Sequence, residues 1–487
     1  MAETYDYVIV GGGMTACGIV AELLDFRPDS NILILDNQKQ LGGHWNFAYP
    51  YVKLHNFTSY YTLYGYKMPE YIRSKEKHRA DLTEIMEYFN SIQRRFEKEK
   101  KLEMRFNLEM KEVEQVPGAE AGGARWTIKY ADKAGKTGEV KGKTLVMCTH
   151  CAIGRAPPHK PIVGAVGGTA PKGNIYPNQI AQMGDLKALA KKGQKIAVVG
   201  GGKTGADAVM HLYTSGVPME NIVWVKKFDL GFGIRASPQE AFDPPEKRGR
   251  YPLMIFALIS KYWWKTGVPK SLMVHGTPLI TSTLPDDHPK YTDKVYFTGG
   301  GMIDMDELAM LRTVRQVLGG SVVANADGKL TLEDGSVIEY DHAVWCHGYD
   351  QTPYAKVPRQ SMTIGMLSPG YMAPINMMSS ASQGGRFCAR LLLMFEEDLL
   401  SFWHKFIFTL MVIFMEVFCG APNSVLVYTK AGLCESWLSW AISRPKVVAR
   451  FGWPYMSAMG DMPWIIPGYM KGAKENIFKY IHLEGEL

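Results

Sequence analysis

Three observations predict an α/β chain of two strand–turn–helix units, the second inserted into the first, with a mainly helical C-terminal cap. An apolar run, Tyr5-Asp6-Tyr7-Val8-Ile9-Val10, stops at the glycine turn Gly11-Gly12-Gly13 and gives way to helix-compatible apolar spacing. The same grammar recurs where Lys195-Ile196-Ala197-Val198-Val199 meets Gly200-Gly201-Gly202. After residue 390 that alternation ends, and Leu399 to Phe418 is strongly apolar.

In the first unit the helix is followed by Asn31-Ile32-Leu33-Ile34-Leu35-Asp36, a second buried strand ending in an acid, at the length expected of a βαβ unit. The turn spells G-x-G-x-x-A on Gly11, Gly13 and Ala16, with Met14 and Thr15 opening the helix. Each position has a physical task in holding a dinucleotide. Gly11 permits the tight turn, Gly13 lets the backbone approach a pyrophosphate, and small Ala16 lets the helix pack closely, while the helix start supplies N–H groups and positive dipole. Asp36 is placed to accept hydrogen bonds from an adenosine ribose. A fingerprint alone is weak; here strand, turn, helix, strand and acid fall in order.

The chain returns to the first sheet at Thr144–Met147, and Pro157-Pro158-His159-Lys160-Pro161 reads as a domain-crossing linker. The second fingerprint then uses Gly200, Gly202 and Gly205, with Lys203 and Thr204 opening its helix. Two fingerprints predict two Rossmann-like domains and two dinucleotides. The next strand, Asn221-Ile222-Val223-Trp224-Val225, ends in Lys226-Lys227 where an NAD site would place its acid, so a 2'-phosphate is the natural partner and NADPH is preferred to NADH. Arg235 is a further candidate for that phosphate; the ordinary alternative is a pair of solvated lysines. Residues 235–300, with Tyr262, Trp263 and Trp264 and the loop Pro285–Pro289, read as a helical insertion plus surface loop. Glu333-Asp334-Gly335 between two apolar stretches signals a hairpin, and Ala343-Val344-Trp345-Cys346 is a strand stopping at His347 and Gly348, where backbone can approach a cofactor.

These boundaries divide the chain into a first nucleotide domain (1–170), a second nucleotide domain (171–345), a return segment to the first (346–395) and a hydrophobic helical region (396–487). The uncharged run Phe406–Met415 is about half the ~20 residues a bilayer requires. A buried helix is its plain reading; a peripheral membrane contact or a homodimer contact are the alternatives.

Composition narrows the class. At 487 residues the chain holds about three domains' worth of sequence. With 46% hydrophobic and 21% charged residues it is an ordinary globular composition. A net charge of +7 is too small for a nucleic-acid binder, and the run Arg94–Lys101 alternates with acids as a solvated helix face does. Seven scattered cysteines do not make a disulfide framework, which points to a reducing, cytoplasmic setting. Cys148 and Cys151 lack the second ligand pair zinc needs, so no metal site is expected. No signal-peptide pattern precedes the first strand.

Two fingerprints with Leu41-Gly42-Gly43-His44-Trp45 just after the first acid resemble the class B flavin-dependent monooxygenases. In that family GG-x-W closes over the flavin; Gly42, Gly43 and Trp45 occupy those positions, with His44 between them, Tyr49-Pro50 follows, and Cys346-His347-Gly348-Tyr349 matches an ATGY-like segment with two substitutions. The resemblance covers roughly residues 5–390. It implies FAD at the first site, NADPH at the second, and O2 as co-substrate. Reduced flavin would form a C4a-(hydro)peroxyflavin, shielded from water, that oxidises a hydrophobic or aromatic small molecule. It further implies that Asn56 contacts the flavin or its peroxide, with His55 as a proton shuttle; a turn asparagine and a structural histidine are the plain readings. The chain departs from the family in having no histidine in Lys172–Asn178, which bears on the type of oxygenation. Alternatives are a single-component flavin halogenase using the same oxygen chemistry, an NADPH-dependent flavin reductase, and a non-catalytic flavoprotein that serves as a binding module.

Overall fold

The structure is a computed structural model. It describes residues 3–235 except 56–57, 62, 64, 74–77, 118–121 and 149–159, then 268–270, 272–274, 277–278, 280–295 and 301–347, and the short stretches 367–368, 371–372, 389, 392–393, 396–397 and 481–483.

The first unit is built on parallel strands. β1 (Glu3–Val10) runs into α1 (Met14–Phe26) and back to β2 (Ile32–Leu35), which pairs with β1 from Tyr7↔Ile32 to Val10↔Leu35. α2 (Leu82–Phe96) leads to β3 (Leu102–Arg105) on the far side of β2, and β4 (Leu108–Gln115), β5 (Trp126–Asp132) and β6 (Thr137–Met147) form an antiparallel meander. The end of β6 returns to pair parallel with β1. Alternation along the strands decides which layer each side chain meets. Ile9, Ile32, Ile34 and Val146 face α1 and the apolar stripe of α2 (Ile85, Tyr88, Phe89, Ile92, Phe96), whereas Val8, Val10, Leu33, Leu35, Leu145 and Met147 meet Ile128 and Val140 of the meander. Both faces are covered, which is why the strands read as continuous apolar runs. Each such aliphatic side chain stabilises the fold by roughly 1.5–3 kcal/mol.

The second unit repeats the scheme with β7 (Ile196–Val199), α3 (Lys203–Thr214), β8 (Ile222–Lys226), α4 (Met305–Leu311), β9 (Arg315–Leu318) and β10 (His342–Trp345). The sheet order is β9-β8-β7-β10, extended by Asn174–Ile175 beside β10. Ile196, Val198, Ile222, Trp224 and Val344 pack on α3, while Ala197, Val199, Val223, Val225 and Trp345 pack on the hairpin residues Leu330, Leu332 and Ile338. The turn at Glu333-Asp334-Gly335 closes that hairpin, Lys329–Leu332 against Val337–Glu339.

Tyr371–Met372 pairs with β6 at Leu145 and Val146, so the chain after the second unit re-enters the first sheet. Of the expected helical insertion, residues 236–267 lie outside the described residues; the part that follows carries short strands at Val268–Pro269, Leu272–Val274, Thr277–Pro278, Ile280–Ser282 and Lys294–Val295. The β-branched and Pro-interrupted sequence there favours short strands over helix turns. The linker at Pro157–His159 and nearly all of the expected helical C-terminal cap, including 399–418, also lie outside the described residues. The described end of that region, Ile481–Leu483, is a strand paired with Leu272–Val274. Among the described residues no helix is long and apolar enough to cross a membrane.

Candidate functional site

Each glycine turn is held against the end of the neighbouring strand. Gly11 has φ +105°, and a Cβ there would lie 3.0 Å from the Cys148 carbonyl oxygen; Gly200 has φ +126°, and a Cβ would lie 2.3 Å from the Cys346 carbonyl oxygen. The strand ends are fixed by matching bonds, Cys148 N to Val10 O at 2.8 Å and Cys346 N to Val199 O at 2.7 Å. Both helices begin directly at the last glycine of the turn, with no side chain capping the first N–H groups. Those donors, beside half-exposed Gly13 and Thr15 in one unit and Gly202 and Thr204 in the other, form two cradles suited to a phosphate.

The third fingerprint positions serve packing. Ala16 is fully buried, and a Cβ on Gly205 would come within 2.0 Å of the Gly200 carbonyl oxygen. Trp224 explains the stricter demand in the second unit, since its indole donates to that same carbonyl at 2.8 Å.

Asp36 stands at the end of β2, only 6% exposed, and accepts from the backbone N–H groups of Gln38 (2.7 Å) and Gly12. Burial pushes its carboxyl up, against the pull of those two donors. Over this turn folds the GG-x-W segment. Gly42 N donates to Gly12 O at 2.9 Å, and Gly42 and Gly43 take φ of +136° and +53°. A Cβ on Gly43 would lie 2.9 Å from Gly13 Cα, so the contact requires glycine. Trp45 is buried and its indole donates to Tyr61 Oη at 2.7 Å. His44 lies between them, and burial together with neighbouring His55 pushes it down to about 4. His55 is half-buried; Asn56 and Gly348 lie outside the described residues.

In the second unit the two lysines part company. Lys226 is 1% exposed, with Nζ donating to Thr283 Oγ1 at 3.0 Å and 3.9 Å from Asp229. Burial pushes it down to about 8. Lys270 approaches the same Asp229 at 3.4 Å. Lys227 is exposed and lines a cavity of about 490 Å³ at the ends of β8 and β9, with Lys290, Lys294, Asp229, Glu333 and Asp334. The walls and the buried pair behind them carry five lysines against three carboxylates, a chemistry suited to a dianion. Arg235 is not available to a phosphate. Its side chain is 2% exposed and bound to Asp304, Glu307 and the carbonyls of His55 and Met302. His347 packs edge-on to Trp345, with Nε2 at 3.3 Å from Pro161 O; burial pushes it down.

The units also meet through residues no motif marks. Tyr49 donates to Asp207 Oδ2 at 2.6 Å, Asp207 pairs with Lys203 at the start of α3, and Tyr51 stacks on His211 at 4.2 Å. The Tyr49-Pro50 pair was visible as part of a resemblance; its partner, 158 residues on, was not.

The architecture is that of a two-nucleotide flavoprotein. The sequence model of the L-lysine 6-monooxygenase/L-ornithine 5-monooxygenase family matches residues 3–244. A FAD-dependent monooxygenase of Fusarium langsethiae is 27% identical over 228 residues, which are 46% of this chain and 36% of that relative, so the chain spans little over a third of its length. Among solved structures, polycyclic ketone monooxygenase from Thermothelomyces thermophila superposes with a TM-score of 0.58 at 13% identity, over 99% of this chain and 90% of that one. OTEMO, solved in complex with FAD and NADP, gives a TM-score of 0.53 at 14% identity, over 82% of this chain and 86% of that one. At these identities the structural likeness is one of fold. The family model over residues 3–244 and these relatives support a class B flavin monooxygenase-like family.

Proposed function

We propose that the protein is an NADPH- and O2-dependent flavin monooxygenase acting on a hydrophobic or aromatic small molecule, with FAD on the first turn and NADPH on the second. In domain terms, residues 1–170 and 346–395 would form the flavin domain and 171–345 the NADPH domain. The observation that carries the reading is the pair of glycine cradles in one chain, joined by Tyr49–Asp207, the first of them roofed by Gly42 and Gly43.

The residues fit the two groups. The uncapped N–H groups at Gly13–Thr15 and Gly202–Thr204 would hold pyrophosphates, Asp36 a ribose, and Lys227 with its lysine-rich cavity the 2'-phosphate. FAD, when bound, accepts hydride from NADPH and supplies the oxygen chemistry. The chain's own part is to orient and to exclude water. Trp45, locked to Tyr61, closes the flavin side. His44, depressed to about 4, is neutral at working pH and brings no ammonium-like proton to that side. His55, and Asn56 next to it, are the candidates for holding or moving a proton at the reacting atoms.

The test uses purified protein. Bound FAD is quantified after denaturation, and O2 uptake is followed with NADPH or NADH while amines, sulfides, phenols and ketones are supplied in turn. Stoichiometric FAD, NADPH preference and oxygenated product support the reading. Multiple-turnover NADPH oxidation without O2, with a disulfide added as the electron acceptor, overturns it in favour of a reductase, and halogenated product from added bromide favours a halogenase.

A further inference from the structure

Two arginines grip consecutive carbonyls next to His55 and share one carboxylate. Arg79 donates through Nε to Leu54 O (2.8 Å) and through Nη1 to Glu307 Oε1 (2.6 Å). Arg235 donates through Nε to His55 O (2.6 Å) and through Nη2 to Glu307 Oε2 (2.9 Å). The two arginines come from different units, Arg79 just before α2 and Arg235 at the end of the strand Gly231–Ile234. Glu307 is itself fixed in the first turn of α4, where a capping box pairs its side chain with the Asp304 N–H and the Asp304 side chain with the Glu307 N–H.

All three side chains are largely withdrawn from water, at 14% exposure for Arg79 and Glu307 and 2% for Arg235. Burial alone would raise the Glu307 carboxyl, but Lys203, Arg79 and Arg235 outweigh it and hold it at about 2, so it is a carboxylate throughout the working range. A buried guanidinium left without its carboxylate is costly. Among the described residues Glu307 is the carboxylate bound by Arg79, whereas Arg235 binds Asp304 at 2.7 Å as well, so Glu307 is the one group that serves both grips. No fingerprint or family phrase includes Glu307.

We infer that Glu307 is a positioning residue that anchors the Leu54–His55 backbone from the second unit, and that it limits the diversion of NADPH and O2 into hydrogen peroxide. The inference rests on the proposed function for its chemical consequence and on geometry alone for the anchoring. In the diverted reaction NADPH gives up a hydride, solvent gives one proton, and O2 takes both with the electron pair to leave as H2O2. A His55 segment free to shift admits water and misplaces the groups that shield the flavin.

The test compares Glu307→Gln with wild type as holoprotein, by hydrogen exchange of a peptide covering residues 49–58 and by peroxide formed per NADPH oxidised. Glu307→Gln keeps the shape but removes the charge both arginines use. Exchange in 49–58 is expected to speed up about tenfold, the loss of one charge-assisted hydrogen bond, and the peroxide share to rise with FAD content retained. Arg79→Gln releases only the Leu54 grip and is expected to move both readouts less, in the same direction; it serves alone if Glu307→Gln does not fold. Leu330→Ala, a remote core truncation, is expected to lower the melting temperature with no change in 49–58. Unchanged exchange in both charge variants overturns the anchoring role. Faster exchange with an unchanged peroxide share overturns the link to coupling. If wild type holds no FAD while Glu307→Gln still loosens 49–58, the anchor stands and the proposed function fails.

Discussion

Gly202 and Gly205 lie three residues apart in the second turn, yet alanine at each should damage different properties. A Cβ on Gly205 would sit 2.0 Å from Gly200 O and 3.0 Å from Trp224 Nε1, both fixed atoms. Relieving that overlap means moving α3 off the sheet, at about 1–3 kcal/mol for overpacking, and breaking the Trp224–Gly200 bond, at about 1 kcal/mol more. A domain of this size loses roughly 2–4 °C per kcal/mol, so Gly205→Ala should melt roughly 5–15 °C lower. Gly202 has φ −79° and ψ −175°, ordinary for any residue, and among the described residues no heavy atom lies within 4 Å of its Cβ position. Gly202→Ala should therefore cost less than about 1 kcal/mol. Its methyl instead occupies the cradle, and KM for NADPH should rise about tenfold or more, as for one lost charge-assisted contact. Differential scanning fluorimetry and NADPH titrations of the holoprotein separate the two effects. A Gly205→Ala protein that melts with wild type refutes the packing argument, and a Gly202→Ala protein with wild-type KM removes the pyrophosphate from that turn.

Lys227→Ala should raise KM for NADPH about tenfold while leaving NADH almost unchanged; equal effects on the two cofactors reject the phosphate role. The extra thermal stabilisation by NADP+ over NAD+ should shrink as pH rises through about 8, where Lys226 sheds its proton, and a difference that stays flat from pH 7 to 9 on the order of the assay's scatter would count against Lys226 as part of the anion field. Folded His44 titrates near 4 against 6.5 for the free side chain, so the unfolded chain takes up that proton first. Its contribution to stability is complete above pH 6.5 and drains as pH falls toward 4; His44→Gln should flatten the melting profile across that window, and parallel curves for variant and wild type would sink the assignment.

What the sequence made legible is what local chemistry determines. The strands at Val8–Val10 and Ile196–Val199, the two turns and the hairpin at Glu333–Gly335 could be read because period, glycine and turn residues act over a few positions. Lys226 and Lys227 look alike in sequence. Only the strand's alternation, the approach of Thr283 from the insertion and the turn that brings Asp229 back bury one and leave the other facing the cavity. Arg235 was misread for the same reason: an arginine a few residues beyond the second strand looks like a phosphate ligand until Asp304, Glu307 and the His55 carbonyl are brought to it. The helical reading of the insertion rested on Tyr262–Trp264, which lie outside the described residues; the strands described after Val268 were not legible, since one of them pairs at Leu272↔Leu483 with the far end of the chain.

The two turns share one grammar but differ in what covers them, and that difference bears on how each would hold its nucleotide. The first is enclosed by the chain itself: Gly42 N bonds Gly12 O, Gly43 lies against Gly13, and Asp36 is drawn under Gly12. Lifting a dinucleotide out of that turn means opening a segment anchored by the Trp45–Tyr61 bond. The second turn has no such roof among the described residues, and its phosphate end is a cavity reached by exposed Lys227 and Lys290. If the proposed nucleotide sits there, its dissociation would open no bond between described residues of the kind that closes the first turn. On the proposed reading the first arrangement suits a resident flavin and the second a co-substrate that must bind and leave in every turnover. Tyr49–Asp207 and the Arg79–Glu307–Arg235 bridge then keep the exchanging side in register with the fixed one.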